Sequence, residues 1–317
     1  MNDLDLSIIN AVQGVGDGLI PFMRFISIVF EKPYLYLLIF LFIYWCWDQR
    51  AGIKVFIYLE TAFLINNILK IFIRQKRPFL IDPDVKNWSG NGGMFDFAMP
   101  SGHAQATSAF FIPIAKFFRT KLVWIIAVFI ILLVGIDRIY LGLHMPSQVL
   151  AGWLISILII IFVEKFEPGI GRFIKKSHPV LIYGLIFFIS LFFVSLGVYN
   201  FFAYGETALI KAQPLQSYDA IENIIQTSGL FAGFLSGAFL VSGNKKFNVR
   251  DAWKNRILRF VISTVLFAVL YLLSKVLLGF IADFTLLVLT SYLVWVLNGF
   301  LVTYFLTHLF LKIKILK

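Results

Sequence analysis

The chain is 317 residues long, 60 % hydrophobic and only 14 % charged, which excludes an ordinary soluble domain. Its formal net charge of +11 does not mark a nucleic-acid binder, because the basic residues sit in short connections between apolar runs and form no stripe on a soluble face. The single cysteine, Cys46, lies inside an apolar run, so it excludes an intrachain disulfide and reads as inert packing.

In chain order, the first twenty residues hold Asp3, Asp5 and Asp17 and no basic residue, a charge pattern unlike a cleaved signal peptide. They are expected to form an amphipathic segment at the membrane interface. Apolar runs able to cross the hydrocarbon as helices follow at 33–48, 51–73, 101–118, 122–140, 147–163, 179–199, 223–242, 257–280 and 285–311. The expected fold is all-α: one integral-membrane domain over 1–317, a polytopic helical bundle of about nine transmembrane helices.

An odd number of crossings puts the termini on opposite sides. Arg50 and Lys54, Lys116 to Lys121, Lys165 to Lys176, Lys245 to Arg259, and Lys312 to Lys317 cluster on one set of connections, which the positive-inside rule makes cytoplasmic. The N-terminus is thus expected outside and the C-terminus in the cytoplasm. On the outer side the loop 79–99 carries a flexible SGNGG at 89–93, and the segment 200–222 either caps a site or connects two helices.

Three outer-side segments hold polar groups that a membrane protein normally excludes. In KIFIRQKRP, Lys70 and Arg77 lie seven residues apart, two helical turns, and Pro78 predicts a helix end near Arg77. The plain alternative is a set of snorkelling charges at a helix end, against which stands their position on the outer side. In MPSGHAQ, Ser101, Gly102 and His103 open a helix whose free N–H groups suit an anion, although Ser101 can equally be an N-cap and His103 an interfacial histidine. In DRIYLGLHMPSQ, Arg138 ends one span, His144 precedes the next, and Gln148 stands one turn beyond His144, within reach of its ring.

Together the segments supply three cations, a helix N-terminus and two histidines, an inventory for phosphoryl transfer in which no Cys or carboxylate cluster has metal-ligand spacing. Glu60, Asn66 and Asn67 in the second span read as structural, with Asn67 expected to bond between helices. His178 and His308 read as uninvolved, being on the wrong side or far from the motifs.

These residues resemble the type 2 phosphatidic acid phosphatases, which share their site with vanadium-dependent haloperoxidases and membrane glucose-6-phosphatases. The family pattern of Lys, six residues, Arg-Pro is matched by Lys70, Arg77 and Pro78; Pro-Ser-Gly-His by Pro100, Ser101, Gly102 and His103; and Ser-Arg, five residues, His, three residues, Asp by Asp137, Arg138, His144 and Gln148. The resemblance covers a phosphatase core over about 55–160 and assigns no role to the additional helices over 179–311.

It implies that His144 is the nucleophile, forming a phosphohistidine, and that His103 protonates the leaving oxygen and later activates water. Lys70, Arg77, Ser101, Gly102 and Arg138 would bind the phosphate, and Gln148 would orient His144. No cofactor and no metal are implied, and the partners are membrane lipids and a phosphorylated lipid or small phosphate ester.

Two positions depart from the pattern. Asp137 replaces Ser and reads as a pairing residue for Arg138. Gln148 replaces Asp, so it can orient an imidazole but offers less help to its charged form. The local string from His144 to Val149 is similar to His-x-Pro-x-Gln-Val of the membrane glucose-6-phosphatases, so a sugar phosphate stands beside a lipid phosphate or polyprenyl pyrophosphate as substrate. A non-catalytic phospholipid binder or transporter is the alternative from another class.

Overall fold

In a computed structural model, residues 3–31, 34–90, 97–204, 214–242 and 249–316 are described. Part of SGNGG, part of 200–222, and the basic residues Lys245, Lys246 and Lys317 lie outside them. The described elements are helical: α1 (Asp3–Gln13), α2 (Ile20–Glu31), α3 (Tyr34–Phe42), α4 (Gln49–Ile73), α5 (Gly102–Phe118), α6 (Lys121–Tyr140), α7 (Pro146–Lys176), α8 (Pro179–Tyr204), α9 (Pro214–Ser242), α10 (Trp253–Gly279), α11 (Phe284–Phe300) and α12 (Leu306–Lys312). Wider π turns at Ile43–Trp47 and Leu301–Phe305 extend α3 and join α11 to α12.

Each of the nine expected crossings coincides with a helix. Seven helices among the described residues are long and apolar enough to cross a membrane, while Leu35–Trp47 and α5 are shorter. The apolar segment that opens the chain is bent, with α1 and α2 turned 75° apart. The expected crossing 147–163 is only the front half of α7. Charge ends the hydropathy run at Glu164 but not the backbone ladder, and the extension carries ion pairs from Glu164 to Lys116 (2.6 Å) and from Glu167 to Lys54 (2.8 Å).

The chain divides into two compact units. One comprises residues 1–36 and 61–166 and contains every candidate site residue; the other comprises 37–60 and 167–317. In the first unit, α4 and α5 are joined by a buried polar seam. Asn66 Nδ2 donates to Pro100 O (3.2 Å) and to Gln105 Oε1 (2.8 Å), and Gln105 Nε2 donates to Ala62 O (3.0 Å). Buried amides are satisfied here by one another and by backbone, as a low-dielectric interior demands. The interhelical bond expected of Asn67 is thus made by its neighbour Asn66.

The second unit holds α9 against α11 along Gly229 and Gly233, and against the following π turn at Gly237, where small residues let backbones approach. Arg259, which reads in the sequence as a topological charge, is fully buried there. Its guanidinium donates to Trp45 O (2.9 Å), Val249 O (2.6 Å), Ile315 O and the Asp251 carboxylate (2.8 Å), fastening three separate chain segments. Cys46 is buried and donates its thiol to Arg256 O, a packing role as expected.

Candidate active site

The three polar segments converge within the first unit. Helix α4 ends at Ile73, four residues before the end expected near Arg77; the chain turns at Arg74 (φ +53°), and Arg77 is extended (φ −71°, ψ 152°) ahead of Pro78. Arg77 is 2 % exposed; its Nη1 donates to Leu143 O (2.9 Å) and stands 3.4 Å from His144 Nε2. Lys70 is half-buried in the last turn of α4, one turn beyond Asn66.

Ser101 precedes α5, and its backbone N–H donates to Gln148 O (3.0 Å), tying the second segment to the third. The hydroxyl of Ser101 caps nothing. Fully buried, it has no hydrogen-bond partner among the described residues and so does not act as an N-cap. Gly102 and His103 form the first turn of α5, both half-buried. The close seating of α7 on this turn needs Gly152, because a Cβ there would fall 2.7 Å from Ser101 O.

Arg138 is buried in the last turn of α6. Its Nε donates to Asp137 Oδ2 (2.7 Å) and its Nη2 to both that oxygen and Ser27 Oγ, so Asp137 is the pairing residue its position suggests. Nη1 has no hydrogen bond among the described residues, leaving one guanidinium nitrogen for a ligand. The carbonyl of Arg138 accepts from Leu143 N (3.0 Å) and His144 N (3.1 Å), so the same residue also fixes the histidine's backbone. The turn between them passes through Gly142 at φ +72°, where a Cβ would meet Lys86 O at 2.2 Å.

Arg77 Nη1 and Gln148 Oε1 lie against the two nitrogens of the His144 ring, and the Gln148 amide is itself held by Met145 N and Gln75. Gln148 Oε1 accepts from Met145 N (3.0 Å) and lies 3.2 Å from His144 Nδ1, while Gln148 Nε2 donates to Gln75 Oε1 (3.1 Å). The backbone N–H of Met145 can only donate, which assigns the oxygen of the Gln148 amide to this side. Nδ1 must therefore carry the proton, and Nε2 keeps its lone pair facing Arg77. That is the tautomer a nucleophilic imidazole requires. A carboxylate at 148 would do the same and also stabilise the ring's charged form; the amide orients only.

No motif position marks Gln75, which lies inside KIFIRQKRP between the two matched cations and accepts from Gln148 Nε2. Its backbone carbonyl also accepts from Ala98 N (2.8 Å). Ser27, which steadies Arg138 from α2, had no sequence signal, being 111 residues away.

The fold and the site define a multi-pass helical membrane protein with a buried cation and histidine cradle. Residues 51–172 match the family model "PAP2 superfamily", and residues 225–317 match "PAP2 superfamily phosphatase, transmembrane extension". The chain belongs to the PAP2 superfamily.

It is 34 % identical over 139 residues to phosphatidylglycerophosphatase B of Bacillus subtilis, covering 41 % of this chain and 63 % of that protein. Sphingosine-1-phosphate phosphatase 1 of Mus musculus is 31 % identical over 185 residues, covering 55 % and 42 %. Undecaprenyl-diphosphatase of Sulfolobus acidocaldarius is 29 % identical over 115 residues, covering 34 % and 51 %. The chain thus spans less than two thirds of the length of each of these relatives. A crystal structure of the transmembrane PAP2 type phosphatidylglycerolphosphate phosphatase from Bacillus subtilis aligns with a TM-score of 0.41 at 25 % identity, over 54 % of this chain and 90 % of that one.

Proposed function

We propose that the protein is an integral-membrane phosphatase that hydrolyses a lipid phosphate or polyprenyl pyrophosphate through a phosphohistidine on His144, without a metal. The observation that carries this reading is the His144 ring, its Nδ1 on Gln148 and its Nε2 beside Arg77 in a buried cradle. Nε2 attacks phosphorus as the ester P–O bond breaks, and His103 gives a proton to the departing oxygen. Water, deprotonated by His103, then displaces the histidine and releases phosphate. Lys70, Arg77, Arg138, the Ser101 hydroxyl and the Gly102 amide take up the charge on the remaining oxygens.

The names of the three relatives concern phosphorylated lipids, which favours a lipid over the sugar phosphate suggested by Gln148. The site is placed on the extracytoplasmic face, with the N-terminus outside and the C-terminus in the cytoplasm, on the strength of the basic clusters at the opposite helix ends.

The test is phosphate release by detergent-purified protein in excess chelator. Phosphatidate, phosphatidylglycerophosphate, sphingosine 1-phosphate, polyprenyl pyrophosphate and glucose 6-phosphate form the panel. Turnover of a lipid substrate with an acid-labile phosphoenzyme is expected. Turnover of glucose 6-phosphate alone would overturn the substrate class, and binding without release from any substrate would favour a phospholipid carrier.

A further inference from the structure

Helix α1 lies outside the stretch matched by the family models, yet its buried face packs on the turn that carries His144. That face is Asp5, Ile9 and Gln13, spaced four residues apart, so an amphipathic helix buries two polar side chains while Leu4 stays 66 % exposed. Burial of polar groups is tolerated only with partners, and both have them.

Asp5, 5 % exposed, accepts from the backbone N–H of Ser147 (2.9 Å) through Oδ1 and from the Ser147 hydroxyl (2.8 Å) through Oδ2. Pro146 opens α7 without an N–H, so the Ser147 amide is the first that the helix offers, and a carboxylate from 142 residues away occupies it. Ile9 packs with Val85 on Met145, the residue whose N–H orients the Gln148 amide. Gln13 grips the other end of the turn, donating to Lys86 O (2.8 Å) and Tyr140 O (3.1 Å) and accepting from Lys86 N (3.1 Å). The segment 140–147, with His144 inside it, is therefore held at both ends by α1.

We infer that α1 is part of the active site and that Asp5 is a positioning residue, holding the first turn of α7 so that Gln148 aims His144 Nε2 at phosphorus. The inference rests on the phosphatase reading above. A nucleophile displaced by about 1 Å loses roughly a hundredfold in rate, and the Asp5 contact acts through the residue adjoining Gln148.

The experiment compares wild type, Asp5→Ala, Asp5→Asn, Gln148→Ala and the Asp5→Ala/Gln148→Ala double variant, with Asp3→Ala on the exposed face of α1 as control. Turnover per folded molecule and binding of orthovanadate and inorganic phosphate are read in detergent. Vanadate reports the nucleophile's aim because it bonds to the ring in the five-coordinate geometry, whereas phosphate tests only the cradle.

Asp5→Ala is expected to lower kcat about 10- to 100-fold with KM within about threefold, and to weaken vanadate about tenfold while phosphate binding holds. Asp5→Asn, which keeps one acceptor, should recover most of the rate. In the Gln148→Ala background the Asp5→Ala loss should shrink to less than about threefold, since both act on one ring.

Full turnover per folded molecule in Asp5→Ala would overturn the inference, as would parallel weakening of vanadate and phosphate, or losses at Asp5 and Gln148 that multiply. A wild type that neither turns over any panel substrate nor binds vanadate would overturn the phosphatase reading itself. An active wild type matched by Asp5→Ala would sink only the role of Asp5.

Discussion

Arg77 Nη1 and His144 Nε2 stand 3.4 Å apart, with the same Nη1 anchored on Leu143 O. The cation is therefore held beside the nitrogen proposed to attack, and it is held by the backbone of the residue preceding that histidine. Any shift of the 143–144 backbone moves Arg77 and His144 together. Preorganisation of this kind removes reorganisation from the chemical step.

His144→Ala should lower turnover by at least about 10³-fold and abolish the phosphoenzyme, whereas His103→Ala should slow both its formation and its breakdown. Rapid-quench trapping of the phosphoenzyme separates the two. Arg77→Lys should behave nearly as badly as Arg77→Ala, about 10²-fold in kcat/KM, because an ammonium cannot serve Leu143 O and the ligand with one planar fork.

Gln148→Ala should cost about 10- to 100-fold in kcat, less than loss of either histidine, since it releases the ring without removing it. Gln75→Ala should show a smaller loss of the same kind. Steady-state kinetics on both variants and their double would show a double close to Gln148→Ala alone if Gln75 acts through that amide.

Asp137→Ala strands the Arg138 guanidinium in a site that is 1 % exposed. Removing one partner of a buried ion pair costs about 3–5 kcal/mol, so the variant should melt markedly earlier in detergent. An unchanged melting temperature would mean that Ser27 suffices to hold Arg138.

Gly152→Ala should disturb the seating of α7 on Ser101 and cost about 1–3 kcal/mol of stability, the usual range for overpacking. Activity should fall with it, because Ser101 is the residue displaced. A variant as stable and as active as wild type would show that the two helices have room to part.

In the second unit, burial raises the Asp251 carboxyl, but hydrogen bonds from Arg259 and Asn255 outweigh it and hold the group below the usual carboxylate range. A folded-state value below the unfolded one gives stability that is present above the unfolded value and lost as pH falls through the folded one. Thermal melts from pH 7 to pH 3 should show this acid loss in wild type, and Asp251→Asn should flatten it while lowering stability at pH 7.

Much of the fold is legible in the residue order because hydropathy and helix period are local properties. The nine apolar runs fall on the described helices α3 to α12, the last run on α11 and α12 together, and the ends that moved, as at α7, moved where charge left the hydrocarbon without breaking the backbone ladder. Asp137 as the partner of Arg138 was legible too, since the two are adjacent in sequence.

What the sequence determined by itself is a multi-pass helical protein carrying Lys70, Arg77, Ser101, Gly102, His103, Arg138, His144 and Gln148 in three ordered segments. Only the tertiary structure decided which donors meet which acceptors. The Gln75 amide reaches Gln148 across 73 residues, Ser27 reaches Arg138 across 111, and Asp5 reaches Ser147 across 142. No local period encodes such pairs. They form because groups buried away from water must find partners, and the fold selects which come within hydrogen-bond reach.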